Sequence, residues 1–237
     1  MDHILQKHIE DLPDQISGLT IGESLQFLLT RFPQQVSFST SFSMEDQVIA
    51  HIILAAKLPV VIFTLDTGRL FEETYSVWSR TNERYETKVQ AYYPERSILE
   101  EYLNQKGPIA FYESIENRKE CCHIRKVEPL KRALKGQAIW VTGLRSAHSP
   151  ERKDLQLLEW DGNNGIIKYN PLLHWTTNQV KEYIQQQDIP YNILHDRGFF
   201  SIGCAPCTRA IKSGEDFRAG RWWWENGGKK ECGLHPG

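Results

Sequence analysis

Short apolar runs alternate with longer segments of helical periodicity, and this alternation constrains the fold of the chain more than any other feature. Val36-Ser-Phe-Ser-Thr40, Pro59-Val-Val-Ile-Phe-Thr-Leu65, residues 87–92 and Ala138-Ile-Trp-Val-Thr142 read as strands. Between them lie helical stretches over 45–57, 70–84, 96–105 and 114–135; the first places Val48, Ile49, Ile52 and Ile53 on one face. Residues 1–35 read as helical too, with Ile21, Leu25, Leu28 and Leu29 at helical spacing before Pro33. Gly162-Asn-Asn-Gly165 is a turn between strand-like 155–160 and 166–169, which predicts a hairpin. Regular exchange of strand and helix implies an α/β domain with a mostly parallel, doubly wound sheet covered on both faces. Ligands bind beyond the carboxyl ends of such strands. One domain over 1–208 is expected, followed by a Gly-, Cys-, Arg- and Trp-rich tail over 209–237 that covers a site.

Charge excludes some partners. With 28 Lys and Arg against 30 Asp and Glu, the net charge is -2, so nothing favours general nucleic-acid binding and any anion site must be local. No run approaches the ~20 apolar residues of a membrane span, and the polar N-terminus does not resemble a signal peptide. The cytoplasm is the expected compartment. There, the five cysteines are expected to hold a metal or do chemistry rather than form disulfides.

Three post-strand loops carry anion-binding chemistry. Ser39-Thr-Ser-Phe-Ser-Met-Glu-Asp46 enters a helix, where backbone N–H groups and the macrodipole favour an anion, although the same residues suit ordinary capping. Leu65-Asp-Thr-Gly-Arg69 emerges from the second strand. Trp140-Val-Thr-Gly-Leu-Arg-Ser-Ala-His-Ser-Pro-Glu-Arg152 carries Arg145 and Arg152, with Gly143 permitting close backbone approach. A lone surface arginine is ordinarily just solvated, but arginine forks on loops at one sheet edge suit phosphate and sulfate oxygens.

Cys121-Cys122, inside Arg118-Lys-Glu-Cys-Cys-His-Ile-Arg-Lys126, and Cys204-Ala-Pro-Cys207 together make a four-thiolate set. Zinc and an iron–sulfur cluster both use such sets. The vicinal pair favours the cluster, because adjacent helical side chains diverge by about 100° and suit separate corners of a cube better than one ion. Redox or plainly buried thiols are the remaining options. Lys126, one helical turn beyond Cys122, shares its face. The fifth cysteine, Cys232, sits in Gly227-Gly-Lys-Lys-Glu-Cys-Gly-Leu-His235. Nearby lysines favour its thiolate, and glycines leave the sulfur accessible for covalent catalysis resolved by an external dithiol.

With these residues in view, the chain resembles the iron–sulfur-containing branch of the phosphoadenylyl/adenylyl sulfate reductase family. The resemblance is carried by Ser41–Asp46, Leu65–Arg69, Cys121-Cys122, Thr142–Arg145, Tyr191-Asn192, Ser201–Cys207, Arg218-Ala-Gly-Arg-Trp-Trp-Trp-Glu225 and Lys230–His235. It implies an adenine nucleotide alpha-hydrolase-like fold, and thioredoxin-dependent reduction of adenylyl sulfate to sulfite and AMP in assimilatory sulfate reduction and cysteine biosynthesis. It further implies a [4Fe-4S] cluster on Cys121, Cys122, Cys204 and Cys207, and Cys232 as the nucleophile that becomes an S-sulfonate. Ser41, Phe42, Ser43, Leu65, Asp66, Lys126, Gly143, Arg145, Arg152, Arg218 and Arg221 are its implied substrate-binding residues, with Lys153 an alternative to Arg152. Thioredoxin or a glutaredoxin-like protein is the implied reductant, and a homo-oligomer is left open. Reduction of 3′-phosphoadenylyl sulfate, alone or alongside adenylyl sulfate, is the alternative within the family. Outside it stand an ATP-pyrophosphatase or sulfurtransferase, which leaves the Cys232 motif unexplained, and a zinc-binding module. The Trp222–Trp224 run reads as packing that seats the tail.

Overall fold

A computed structural model of the protein describes residues 2–146, 154–212, 214–225 and 234. Helices α1 (Asp2–Ile16) and α2 (Ile21–Arg31) precede a βα alternation of β1 (Val36–Ser39), α3 (Met44–Ala55), β2 (Val61–Leu65), α4 (Glu72–Arg84), β3 (Gln90–Tyr92) and α5 (Arg96–Lys106). After α6 (Ile115–Cys122) and α7 (Glu128–Leu134) come β4 (Ile139–Val141), β5 (Leu158–Asp161), β6 (Ile166–Tyr169) and α8 (Thr177–Gln186). The sheet runs β3-β2-β1-β4-β6-β5. All neighbouring pairs are parallel except β5 with β6, which form the expected antiparallel hairpin at one edge.

Alternation along the strands sorts the two faces. Val36 and Phe38 of β1 point to one side with Val141 and Ile167, where Leu12, Leu25, Leu28, Ile49, Ile53, Val180 and Ile184 from α1, α2, α3 and α8 cover them. Phe63, Trp140 and Ile166 point to the other side, against Leu130, Ala133 and Leu134 of α7. Leu25, Leu28, Phe38, Ile49, Ile53 and Val180 are fully buried, each worth about 1.5–3 kcal/mol of transfer free energy. On the α7 side β1 presents only Ser37 and Ser39, which leaves room for the Trp140 indole; its Nε1 donates to Ser39 Oγ at 2.8 Å.

Two elements depart from the sequence reading. The expected helix over 114–135 is divided: α6 ends at Cys122, a π turn spans His123–Val127, and α7 follows. Pro129 supplies the reason. It lacks the N–H that would bond to the Arg125 carbonyl, and its ring crowds that carbonyl, so the preceding turn widens and Glu128 N–H bonds instead to His123 O. The other is α8, which the sequence reading leaves out although Val180, Tyr183 and Ile184 fall at helical spacing and pack on the core. A capping box between Thr176 and Gln179 fixes its start.

Residues 209–212 and 214–225 pack on the body. Arg209 N–H donates to Gly220 O, Ile211 N–H to Gly198 O and Trp222 N–H to Cys207 O, at 2.9, 2.9 and 3.3 Å. No helix among the described residues is long and apolar enough to cross a membrane.

Candidate active site

The chain steps from β1 to β2 and β3 on one side, while β4 lies on the other side of β1. The gap between β1 and β4 is therefore the switch point where open α/β sheets bind ligands. A pocket of about 220 Å³ opens there. The post-strand loops give it Ser41, Ser43, Leu65, Thr67, Thr142 and Gly143; Lys126, Ser201, Gly203, Arg218, Arg221 and Leu234 close it from the other side.

Two buried carboxylates at the start of α3 hold the sheet side in shape. Asp46 Oδ2 accepts from Ser41 N–H at 2.6 Å and Ser41 Oγ at 2.7 Å, curling the loop so that Phe42 takes the left-handed conformation, φ 59°. The Phe42 ring turns away from the pocket and stacks on Trp78 at 5.6 Å. Burial pushes the Asp46 carboxyl up to about 6, against the Ser41 bonds that favour its charge. Gly143 lies directly over this carboxylate: a Cβ there would overlap Asp46 Oδ1 and stand 3.2 Å from Glu45 Cβ. Glu45 Oε1 accepts from Arg145 Nε at 3.0 Å and Nη2 at 2.8 Å. Arg145, only 1% exposed, also donates to Trp175 O and Thr177 Oγ1. Its fork thus braces the β4 loop against α3 and α8 from behind the pocket wall.

The loop after β2 joins the pocket to the cysteines. Asp66 accepts from Gly68 N–H and from Tyr75 Oη, at 2.8 and 2.9 Å. Thr67 Oγ1 lies 3.2 Å from Cys204 Sγ, Thr67 O accepts from Arg125 Nη1 at 2.6 Å, and Arg69 O accepts from Ala205 N–H at 2.8 Å. Arg69 itself donates to Pro108 O and covers the Phe111 ring.

Cys121, Cys122, Cys204 and Cys207 are buried, unoxidised and packed into one cluster with Tyr102, Phe111, Ile124 and Trp222. Their electrostatics differ. Burial raises Cys204, but Lys126, the Thr67 hydroxyl, Arg221 and Arg125 outweigh it and hold the thiol below its ordinary value. Burial and the neighbouring Cys204 and Cys122 sulfurs push Cys207 up to about 12. Burial likewise raises Cys121, against Arg125 and Arg69. Four thiols this close do not all ionise unless positive charge enters among them. Three buried donors beside them, Arg125 Nε, Arg221 Nε and Trp222 Nε1, have no hydrogen-bond partner among the described residues. Also among the described residues, no three His, Cys, Asp or Glu side chains meet the spacing for a single metal ion.

Of the residues singled out in the sequence, Ser41, Ser43, Leu65, Lys126, Gly143, Arg218 and Arg221 line the pocket. Phe42, Asp66 and Arg145 stand behind its wall as loop anchors, and the four cysteines gather on its flank. Arg152 and Cys232 lie outside the described residues. Thr67 and Glu225 escaped the sequence reading. Arg118 and Arg125, in the basic run around the cysteine pair, are buried beside the thiols rather than on an exposed face.

The phosphoadenosine phosphosulfate reductase domain matches residues 35–210. Proteins named adenosine 5′-phosphosulfate reductase are similar over most of their length. That of Allochromatium vinosum is 50% identical, over 84% of this chain and 78% of the relative; that of Burkholderia cepacia is 49% identical, over 90% and 86%. The one from Sinorhizobium fredii is 45% identical over 98% and 92%. Among solved structures, phosphoadenylyl-sulfate reductase from Candida auris, a phosphate complex, superposes with a TM-score of 0.73 at 32% identity, covering 86% of this chain and 97% of its own. FMN adenylyltransferase from Candida glabrata, 16% identical with a TM-score of 0.53 over 85% of this chain and 62% of its own, shares the fold alone. The chain belongs to the phosphoadenosine phosphosulfate reductase domain family.

Proposed function

We propose that this protein reduces adenosine 5′-phosphosulfate to sulfite, releasing AMP, with Cys232 as nucleophile and a dithiol protein of the thioredoxin or glutaredoxin type as reductant, in sulfate assimilation towards cysteine. The observation that carries this reading is a pocket at the β1/β4 switch point lined by Ser41, Ser43, Lys126, Arg218 and Arg221, in a chain about half identical to proteins of that name. Leu234, two residues from Cys232 in sequence, lines the same pocket.

The chemistry follows from charge. A thiolate approaching a sulfate sulfur meets anionic oxygens, and Lys126, Arg218 and Arg221 offset that repulsion most strongly as charge builds in the transition state. The Cys232 sulfur forms a bond to the sulfate sulfur as the bond to the phosphate oxygen breaks, so AMP departs and an S-sulfonate remains. One thiolate of the reductant then attacks Cys232 Sγ, sulfite leaves with the bonding pair, and the reductant's second thiol frees Cys232 as the partner's disulfide closes. Backbone N–H groups at the start of α3 receive phosphate oxygens, while the Ser41 hydroxyl is committed to Asp46 and shapes the loop.

Cys121, Cys122, Cys204 and Cys207 suit a [4Fe-4S] cluster. They are buried together, the vicinal Cys121-Cys122 pair suits separate corners of a cluster, and Arg125, Arg221 and Trp222 each keep a buried donor without a hydrogen-bond partner among the described residues. When bound, the cluster supplies a compact charged centre that fixes the four sulfurs beside Lys126 and Arg221. Arg125 and Thr67 orient the sulfurs by donating towards them.

Reduction of 3′-phosphoadenylyl sulfate is the second reading, favoured by the likeness to the Candida auris enzyme of that name. The test is sulfite release with thioredoxin at low concentrations of each nucleotide. Preference for adenosine 5′-phosphosulfate is expected, and preference for the 3′-phosphorylated nucleotide would transfer the assignment. Cys232→Ser should abolish sulfite formation and keep its iron; retained turnover would remove Cys232 from the role of nucleophile.

A further inference from the structure

Trp222 is the most enclosed aromatic residue of the segment that follows the cysteines. It is fully buried and adopts the left-handed backbone conformation, φ 42°, which a bulky side chain seldom takes unless its surroundings enforce it. Two guanidinium groups lie over its indole. Arg118 Cζ of α6 lies 4.4 Å from the ring centroid, and Arg221 Cζ lies 4.8 Å from it. Arg118 does not reach the pocket. Its Nε and Nη2 donate to the two carboxylate oxygens of Glu225 at 2.8 and 3.0 Å, a bidentate pair with side chains 4% and 7% exposed. Arg221, by contrast, lines the pocket with its Nε unpartnered among the described residues, and its guanidinium lies against Gly203, where a Cβ would stand 2.6 Å from Cζ.

A buried ion pair of this kind is weak ground for stability, because desolvation cancels most of its attraction, but it fixes geometry well. The Arg221 side chain has no carboxylate partner among the ion pairs of the described residues, so its place in the pocket depends on what it packs against, the Gly203 backbone and the Trp222 ring. The Trp222 ring in turn rests on Arg118, which Glu225 holds in plane.

We propose that Arg118 and Glu225 are positioning residues for sulfonucleotide binding: their ion pair clamps the Trp222 ring as the platform that holds Arg221 at the pocket. The inference rests on the reading of the pocket given above and adds to it a specific route from α6 to the substrate oxygens. It predicts that loss of the pair acts on nucleotide affinity, and acts through Arg221.

The test is a double-mutant cycle on the full chain with its iron bound, read as the dissociation constant of adenosine 5′-phosphosulfate without reductant and as iron and sulfide content. Glu225→Gln should weaken binding by roughly tenfold, the cost of misplacing one charge-assisted contact, with iron content unchanged. In an Arg221→Ala background, which is itself weakened, Glu225→Gln should have almost no further effect, because the residue through which it acts is gone. A purely structural role predicts instead the same loss in both backgrounds, and that result would overturn the proposal, as would unchanged affinity in Glu225→Gln alone. Arg118→Lys, which keeps the charge but loses the planar face and the bidentate fork, carries the same cycle if Glu225→Gln fails to fold. Unchanged affinity in Arg221→Ala would defeat the reading of the pocket and the clamp together. Weakened binding in Arg221→Ala with none in Glu225→Gln defeats the clamp alone.

Discussion

The sheet-side wall of the pocket, residues 39–46, 64–67 and 142–144, hangs directly from hydrogen-bonded parallel strands. The opposite wall, from residues 126–130, 200–203 and 217–221, is assembled from the end of a π turn, the start of α7 and irregular chain on either side of a short 3₁₀ turn. Their charges are arranged in opposite ways as well. On the sheet side the carboxylates of Asp46 and Asp66 bind their own loops and that of Glu45 binds Arg145 of the β4 loop, so their charge is spent on protein partners and backbone groups are left for a ligand. On the other side cations face inward, and they lie among buried thiols. The first wall is held by hydrogen bonds within its loops and by the Glu45–Arg145 pair that ties two of them together. The second gathers four sulfurs whose ionisation is mutually unfavourable, held by aromatic packing, by Arg118–Glu225 and by the loop contacts of Thr67 and Arg69.

That contrast is sharpest where each wall is broken separately. Cys207→Ser should have the largest effect, complete loss of iron with collapse of hydrogen-exchange protection over 204–225, while β1 and β4 stay protected. Iron analysis and exchange mass spectrometry check this, and loss of protection across the sheet would show the two walls to be one cooperative unit. Next, Arg145→Ala should cost about 3–5 kcal/mol in denaturant unfolding, because it removes the bidentate partner of the buried Glu45 carboxylate; iron content should hold. A loss below about 1 kcal/mol would show that water reaches Glu45 in place of the arginine.

Gly143→Ala is expected to cost about 1–3 kcal/mol and to weaken nucleotide binding, since its methyl group displaces Asp46 and with it the Ser41 turn. Comparing unfolding with the nucleotide dissociation constant separates the two effects. The smallest effect is a pH dependence. With its pKa raised to about 6, Asp46 binds more protons in the folded than in the unfolded protein between about pH 4 and pH 6, so its contribution to stability falls as pH rises through that window. Asp46→Asn should flatten this slope in unfolding titrations, and an unchanged slope would place its origin elsewhere.

Much of this was open to reading in the sequence because it is local. Strand alternation located three pocket loops before any contact was known, since side chains alternate across a strand and chain ends emerge at one edge. The paired cysteines announced four thiolates, and Lys126, Arg218 and Arg221 do stand at the pocket. Arg145 has the same composition signal as those three yet spends its fork on Glu45, a partner 100 residues away that no spacing rule connects to it. Phe42 and Asp66 belong to the right loops but face their anchors, because a left-handed turn in one and the bonds from Gly68 and Tyr75 in the other redirect them. Thr67, an ordinary turn residue in sequence, gains significance only when residue 204 is brought 3.2 Å from its hydroxyl.

By itself, then, the sequence determined the layered α/β architecture, the edge of the sheet at which chemistry is done, and the inventory of thiols and cations available there. Periodicity and turn chemistry act over a few residues and survive without knowledge of the rest of the chain. Tertiary structure decided which cations face the pocket and which are spent behind it, how Pro129 divides the cysteine helix, and that Arg118 and Arg221 both lie over the Trp222 ring. Each of those outcomes depends on pairing and desolvation between distant segments, and such energies exist only once the segments meet.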